Sequence, residues 1–422
     1  MTAVALGTSD WRRAVALAPD IQLVNRYFEK TPDPQDGPSS LIARPGLKKA
    51  ISIGDGPIRG IYSQPGSFDD ALFAVSGDDL YSVATDGTGT NVGTISTGGE
   101  GQVSMAATAK LETTPEYLFL CEGGVLWVYT TDGHALGHLQ ASGAIANNDT
   151  VTIGSTVYKW TTGSVNSGTP AGTSGSPWLV ALGASNTVAL QHLYDAINAT
   201  GTAGTDYSTA LTVHPTVNAS SVSTADLYVL AKDPGTTGNS IATTETGANI
   251  AWSAVTLGSG GSAMLQQVEM PDDVGALAVA YIAGYIMVVC AQGFGVNGRF
   301  YWIEAGEITI DPLNFATAER APDPAYSVRT VGDQFWLLGS SSVEPWYLTG
   351  DGTAPFARQQ ARVFDRGVWQ GSDVQVKDSV VIVDSLDGTV YAVGGQGPVR
   401  ISDNSIEERI RKAMAFQVQE GV

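Results

Sequence analysis

The chain has 422 residues, 50 of them glycine, and only 15% of it is charged, against about 25% in an ordinary globular protein. That length allows two or three domains, or one large all-β domain with an insertion. With 42 acidic against 22 basic residues the formal charge is −20, which excludes a broad phosphate-binding face.

Other classes fall away on local grounds. No run approaches the roughly 18 apolar residues of a membrane helix, and the N-terminus lacks the basic start and long apolar core of a secretory signal. Cys121 and Cys290 stand in the apolar runs YLFLCEGG and YIMVVCAQG, as small buried hydrophobes and not as a disulfide or ligand set. A reducing site of synthesis suits them.

In chain order, residues 1–40 read as an N-terminal arm. The first 60 residues hold eight Lys/Arg and six Asp/Glu, so the negative charge lies beyond them; the basic start is either a solvated loop or a segment resting on an acidic surface. Five segments then share one plan: an apolar strand, a polar or glycine turn, and a second strand ending in a Gly-containing turn. They are ALFAVSGDDLYSVATDG (71–87), YLFLCEGGVLWVYTTDG (117–133), YIMVVCAQGFGVNGRFYWIEAG (285–306), FWLLGSSSVEPWYLTGDG (335–352) and VVIVDSLDGTVYAVGGQG (380–397). Each predicts a β-hairpin. Their starts lie 46, 168, 50 and 45 residues apart, so one interval carries an excess of about 120 residues over the common period.

The excess has its own composition. From 139 to 262 the chain is rich in Gly, Ser, Thr and Ala, and Lys159 and Lys232 are its only basic residues. VTIGSTVYKW (151–160) and ADLYVLAK (225–232) read as strands. NTVALQHLYDAINAT (186–200) reads as a helix with Leu190, Leu193, Tyr194 and Ile197 on one face. A small inserted α+β domain fits better than a linker, which would lack the Tyr, Trp and Leu to bury a core. Paired strands at a period in the forties predict an all-β protein, a β-propeller of five or six blades, with a strand near 42–61 joining the last blade or forming an extra one. The domains expected are an arm at 1–40, propeller at 41–138, insert at 139–262, propeller at 263–402, and a C-terminal helix and tail at 403–422. A β-sandwich with an inserted domain is the alternative.

Motifs for chemistry are weak. GFGVNG (293–298) has dinucleotide glycine spacing but is followed by the strand-like RFYWIEAG, so a hairpin loop is expected. His134 and His138 are four apart with glycines about them and no third ligand; His192 and His214 read as structural. The Asp-Gly pairs at Asp86, Asp132, Asp351 and Asp387 read as turns and not calcium loops. Trp302, Trp336, Trp346 and Trp369 stand in or beside repeat strands, where blade packing outweighs a ligand groove. No catalytic residue, cofactor or metal is implied. RISDNSIEERIRKA (400–413) predicts a helix, with Ser405 and Glu408 spaced as a capping box and Ile406, Ile410, Ala413 and Met414 as an apolar stripe.

Several stretches together resemble a known family. They are Asn25, Tyr27 and Glu29; the Arg44-Pro45-Gly46 turn; Phe315 to Asp323 (FATAERAPD); Gly339 to Trp346 (GSSSVEPW); Pro355-Phe356; and Arg400-Ile401-Ser402 with Ile406-Glu407. In this order, over roughly 20–137 and 263–412, the chain is similar to the packaged-DNA stabilisation proteins of short-tailed bacteriophages, also called tail accessory factors or tail nozzles.

The resemblance implies a non-enzymatic propeller protein of the virion tail, made in the host cytoplasm. It would form a ring, expected to be a hexamer, below the portal and its adaptor, extend the DNA channel, and help retain packaged DNA until ejection. Expected partners are further copies, the adaptor and portal, needle, tip, fibre or tailspike proteins, and double-stranded DNA passing without sequence-specific contact; membrane insertion is not expected. Subunit or partner contacts are expected at Arg44, Pro45, Gly46, Ile406, Glu407, Ile410 and Arg411. The insert resembles a module recurring in phage structural proteins, through VHPTVNAS (213–220) and GNSIATTETGANIAW (238–252), with a place on the outside of the tail. The family continues with further strands after the Ile-Glu helix, whereas this sequence ends at Val422. The alternative function is a tail propeller that binds or cleaves host glycans, using exposed aromatics and acid pairs.

Overall fold

The computed structural model describes residues 26–29, 40–43 and 51–420, apart from short stretches at 85, 111–114, 292–297, 319–322, 353, 360–361 and 395–396. Ahead of the body, β1 (Arg26–Glu29) and β2 (Ser40–Ala43) pair as an antiparallel ribbon. Five four-stranded antiparallel sheets follow, each a meander apart from the second. Blade one is β3 (Ile58–Tyr62), β4 (Leu72–Ser76), β5 (Asp79–Val83) and β6 (Gly89–Thr94). Blade two takes β7 (Ser104–Ala107), β8 (Leu118–Glu122) and β9 (Val125–Thr130). The chain then departs into the insert.

The insert comprises β10 (His134–Ala141), β11 (Thr150–Ile153), β12 (Thr156–Thr161), β13 (Trp178–Ala181), α1 (Asn186–Asn198), β14 (Val217–Val222), β15 (Asp226–Pro234), β16 (Thr243–Glu245) and β17 (Ile250–Trp252). It forms two sheets, β14-β15-β10-β17 and β13-β12-β11-β16, the second mixed because β12 and β13 run parallel. The returning β18 (Met264–Val268) pairs with β9 and completes blade two. Blade three is β19 (Ala276–Ile282), β20 (Tyr285–Cys290), β21 (Arg299–Ile303) and β22 (Phe315–Thr317). Blade four is β23 (Ala325–Val331), β24 (Gln334–Gly339), β25 (Val343–Leu348) and β26 (Phe356–Arg358). Blade five is β27 (Val374–Val376), β28 (Ser379–Val383), β29 (Val390–Gly394) and β30 (Gly397–Arg400), after which comes α2 (Asn404–Glu420).

The repeated hairpins of the sequence are thus the second and third strands of every blade. In blades two to four these middle strands are buried on both faces, so they read as continuous apolar runs such as LFLCE and YIMVVC. First and last strands such as SMAA, VQV and GTNVGT carry no such signal.

Blades pack through shared cores. Phe73, Val75 and Leu80 of blade one meet Met105, Leu118 and Leu120 of blade two. Phe119, Cys121 and Val128 meet Ile286, Val288 and Cys290 of blade three. Phe300 and Trp302 meet Phe335, Trp346 and Phe356 of blade four, and Trp336 and Leu338 meet Val380, Ile382 and Val393 of blade five. Polar ties reinforce these seams. Arg59 of β3 donates to Glu122 Oε1 at 2.5 Å and to the carbonyls of Gly77 and Gly101. Thr330 Oγ1 donates to Tyr281 O at 2.7 Å, and Asp373 accepts from Ser327 Oγ at 2.8 Å and Arg329 Nε at 2.6 Å.

The insert has one separate core. Its sheets and α1 enclose Trp160, Leu190, Leu193 and Ile197, while Tyr194 packs at the margin. Ser185 caps α1 by accepting from Val188 N, and Ala199 ends it in the left-handed region. VTIGSTVYKW is two strands and not one, because Gly154 (φ 59) turns the chain between β11 and β12. Strand β10 starts at His134, ahead of the boundary expected at 139, because its alternating apolar residues join the insert's sheet.

Candidate assembly surface

The C-terminal helix follows β30 directly, so blade five fixes where it starts. Its N-cap is Asp403, whose carboxylate accepts from Ile406 N at 2.9 Å while its carbonyl accepts from Glu407 N. The helix starts at Asn404, so Ser405, expected at the N-cap, falls inside its first turn. An ionised Asp two residues earlier satisfies the orphan N–H more strongly than a serine hydroxyl.

Glu407 is the anchor. It is 5% exposed, receives a two-pronged contact from Arg400 (Nε to Oε1 at 2.7 Å, Nη2 to Oε2 at 2.8 Å) and accepts from Ser402 Oγ at 2.7 Å. Burial alone would raise its pKa, but the bonds from Arg400 and Ser402 outweigh it and hold the carboxyl below the ordinary glutamate value. Ser402 also accepts from Val390 N, so the latch reaches into β29. On the next turn, Gly388 (φ 68) lets the β28–β29 loop approach the helix: a Cβ there would lie 3.2 Å from Ile410 and 3.1 Å from Arg411.

The helix therefore rests on its own blade through Glu407, Ile410 and Arg411, by a largely polar face. Ile406 is 43% exposed, Ala413 is exposed, and Met414 is half-buried. Of the apolar stripe read from the sequence, blade five covers Ile410 and leaves Ile406 and Ala413 exposed. Arg44, Pro45 and Gly46 lie outside the described residues.

The remaining motif residues act within the fold. Asp323 accepts from Ser341 N, Ser342 N and Ser342 Oγ, tying the entry of β23 to the β24–β25 turn. Glu344 is 1% exposed and 3.6 Å from Arg358. Trp302, Trp336 and Trp346 are buried between blades, at 1–7% exposure, and present no aromatic groove; Trp369 is half-buried. The Asp-Gly aspartates cap turns: Asp86 accepts from Thr88 N and Asp387 from Thr389 N. Most of GFGVNG lies outside the described residues, and its flanking strands β20 and β21 pair antiparallel.

His134 and His138 share a strand and not a helix. His134 Nδ1 donates to Ala231 O and Nε2 accepts from the Tyr117 hydroxyl, both at 2.7 Å, which locks insert to blade two. Burial lowers its pKa. Among the described residues no group of three or more His, Cys, Asp or Glu is placed to hold a metal ion, and no helix is long and apolar enough to cross a membrane. Cys121 and Cys290 are buried, and burial pushes both thiols up, Cys290 to about 12.

Among solved structures the chain is similar to the Cps50 (Swd1) β-propeller domain of Myceliophteria thermophila, at 9% identity and a TM-score of 0.30 over 83% of this chain and 86% of that one. It is also similar to Hsv2 of Kluyvelomyces marxianus, at 9% identity and 0.25 over 84% and 80%. No curated protein sequence matches. Residues 184–422 match the family model described as "Bacteriophage P22 Gp10, beta-propeller". With more than half of its length inside that match, the chain belongs to the P22 Gp10 β-propeller family of phage stabilisation proteins.

Proposed function

We propose that the protein is a ring-forming subunit of a phage tail nozzle, expected as a hexamer below the portal-adaptor, which extends the DNA channel and retains packaged DNA until ejection. Family membership supports a non-enzymatic phage role. The observation that carries the ring reading is α2. Blade five binds the helix by Glu407 and leaves the Ile406 side bare, and an apolar stripe on a fixed helix is a self-complementary docking element for a neighbouring copy.

Charge gives the conduit its physics. Each copy carries −20, so a bore lined by several copies repels phosphates and lets a duplex pass without sticking. Adaptor or portal, and needle, tip or fibre proteins, are the proposed neighbours along the tail axis. Particles assembled without this protein should package DNA and then lose it, and added protein should restore retention. Stable full particles in its absence would sink the proposal.

A further inference from the structure

Five blades in a closed ring need five seams, and only four exist among the described residues: one–two, two–three, three–four and four–five. Blades five and one share no core cluster, hydrogen bond or ring contact there. Neither blade lends the other a strand, since each has its own four.

The two unpartnered faces are built for burial. In blade five, register places Val374, Val381, Ala392 and Val399 in one row across all four strands, with Val383 opposite Val390 on the same face. Val374, Val376 and Val399 are 51%, 50% and 58% exposed, while Val380, Ile382 and Val393 on the other face are fully buried against blade four. In blade one, Ile61, Ala74 and Tyr81 form the corresponding row; Ala74 and Ser76 on it are already buried, at 1% and 3%, while Ile58 and Ile61 are 49% and 64% exposed. A sheet apolar on both faces belongs inside a protein.

We propose that the β1–β2 ribbon of the same chain closes the ring, wedged between blades five and one as a short sixth blade. The chain already enters along this face. Ile51 lies against Gly87, Ile53 against Gly89 and Gly54 against Tyr81, and Ser76 Oγ donates to Gly56 O. The eight steps from Ala43 to Ile51 span at most about 29 Å, which lets β1–β2 reach this face. The ribbon's register pairs Tyr27 with Ile42 and Phe28 with Leu41. Successive pairs fall on opposite faces of a two-stranded ribbon, so both faces carry apolar residue types. That pattern suits insertion between two apolar sheets, and an isolated ribbon is marginal in water.

Hydrogen exchange on the full chain tests this independently of the ring of subunits. Amides of 26–29 and 40–43 should exchange at least ~100-fold slower than free-peptide rates. Val374→Asp should abolish that protection while α1 stays protected, and Leu41→Ser should in turn deprotect β27 and β30. Free-peptide rates in the parent chain, or protection indifferent to both substitutions, would overturn the proposal. Cysteines at Leu41 paired with Val374 or Val376 then assign the strand's owner. An intrachain disulfide at monomer mobility supports the proposal; an interchain bond, or none with either partner, overturns it.

Discussion

The insert wraps two sheets and a helix round one core in which Trp160, Leu190, Leu193 and Ile197 are at most 1% exposed. The propeller strings four seams between five blades and leaves apolar faces at both ends of the series. The insert buries most of its apolar surface in its own core, with Leu230 alone of its buried hydrophobics packed into the core of blades two and three. The propeller's end blades keep exposed valines and isoleucines, because a blade face is covered chiefly by its neighbour. The contrast explains how an interruption of more than 100 residues sits inside blade two: β9 and β18 pair over five residues whatever hangs between them, and Gly133 N donates to Ser262 O at 2.8 Å where the insert closes its neck.

Independence of the insert is the first thing to break. Leu193→Asp puts a charge into its core and should remove about 5 kcal/mol or more of its stability. Proteolysis should then cut within the insert while β19–β30 stay resistant; a single loss of both regions would contradict separate cores. Next, Arg59→Ala strands the buried Glu122 between blades one and two, at a cost of about 3–5 kcal/mol. Denaturant unfolding should report that loss in the propeller transition and leave the insert's unchanged.

Acid should separate the regions as well. His214 is 1% exposed; its Nδ1 accepts from Thr216 N and Val217 N while Nε2 donates to Ile153 O. Burial, helped by the nearby Lys232 charge, lowers its pKa from 6.5 to about 4 against the opposing pull of the Ile153 bond. A depressed folded value means stability that is complete above pH 6.5 and lost as pH falls towards 4, about 3 kcal/mol in all. The insert's melting temperature should fall in this window, and His214→Gln should flatten the dependence. Glu407 behaves likewise at lower pH: the latch is complete above the ordinary glutamate value and lost below it. Exchange in α2 should rise there, and Glu407→Gln should produce the same fraying at neutral pH.

The smallest expected effect on the single chain is the most informative about assembly. Ile406→Asp alters an exposed side chain, so its stability should stay within about 0.5 kcal/mol. Rings counted by electron microscopy should nevertheless disappear; intact rings would remove α2 from the interface.

Much of this molecule was legible in its residues. Two-faced burial makes middle strands such as LFLCE apolar throughout, and their regular spacing marked the blades and exposed the insert. Leu190, Leu193 and Ile197 located α1 because a helix buried on one side needs that period. First and last strands escaped because VQV or SMAA are stabilised by neighbours and not by composition. The helix stripe was likewise legible, but its anchor was not: Glu407 reads as a surface residue until Arg400 and Ser402 close over it.

Local pattern by itself therefore determined the element types, the repeat and the interruption, since these follow from which side chains must avoid water. Tertiary structure decided which strand joins which sheet, that Asp403 and not Ser405 caps α2, and which faces of blades one and five keep exposed valines and isoleucines. These depend on contacts between residues hundreds of positions apart, which no local periodicity encodes.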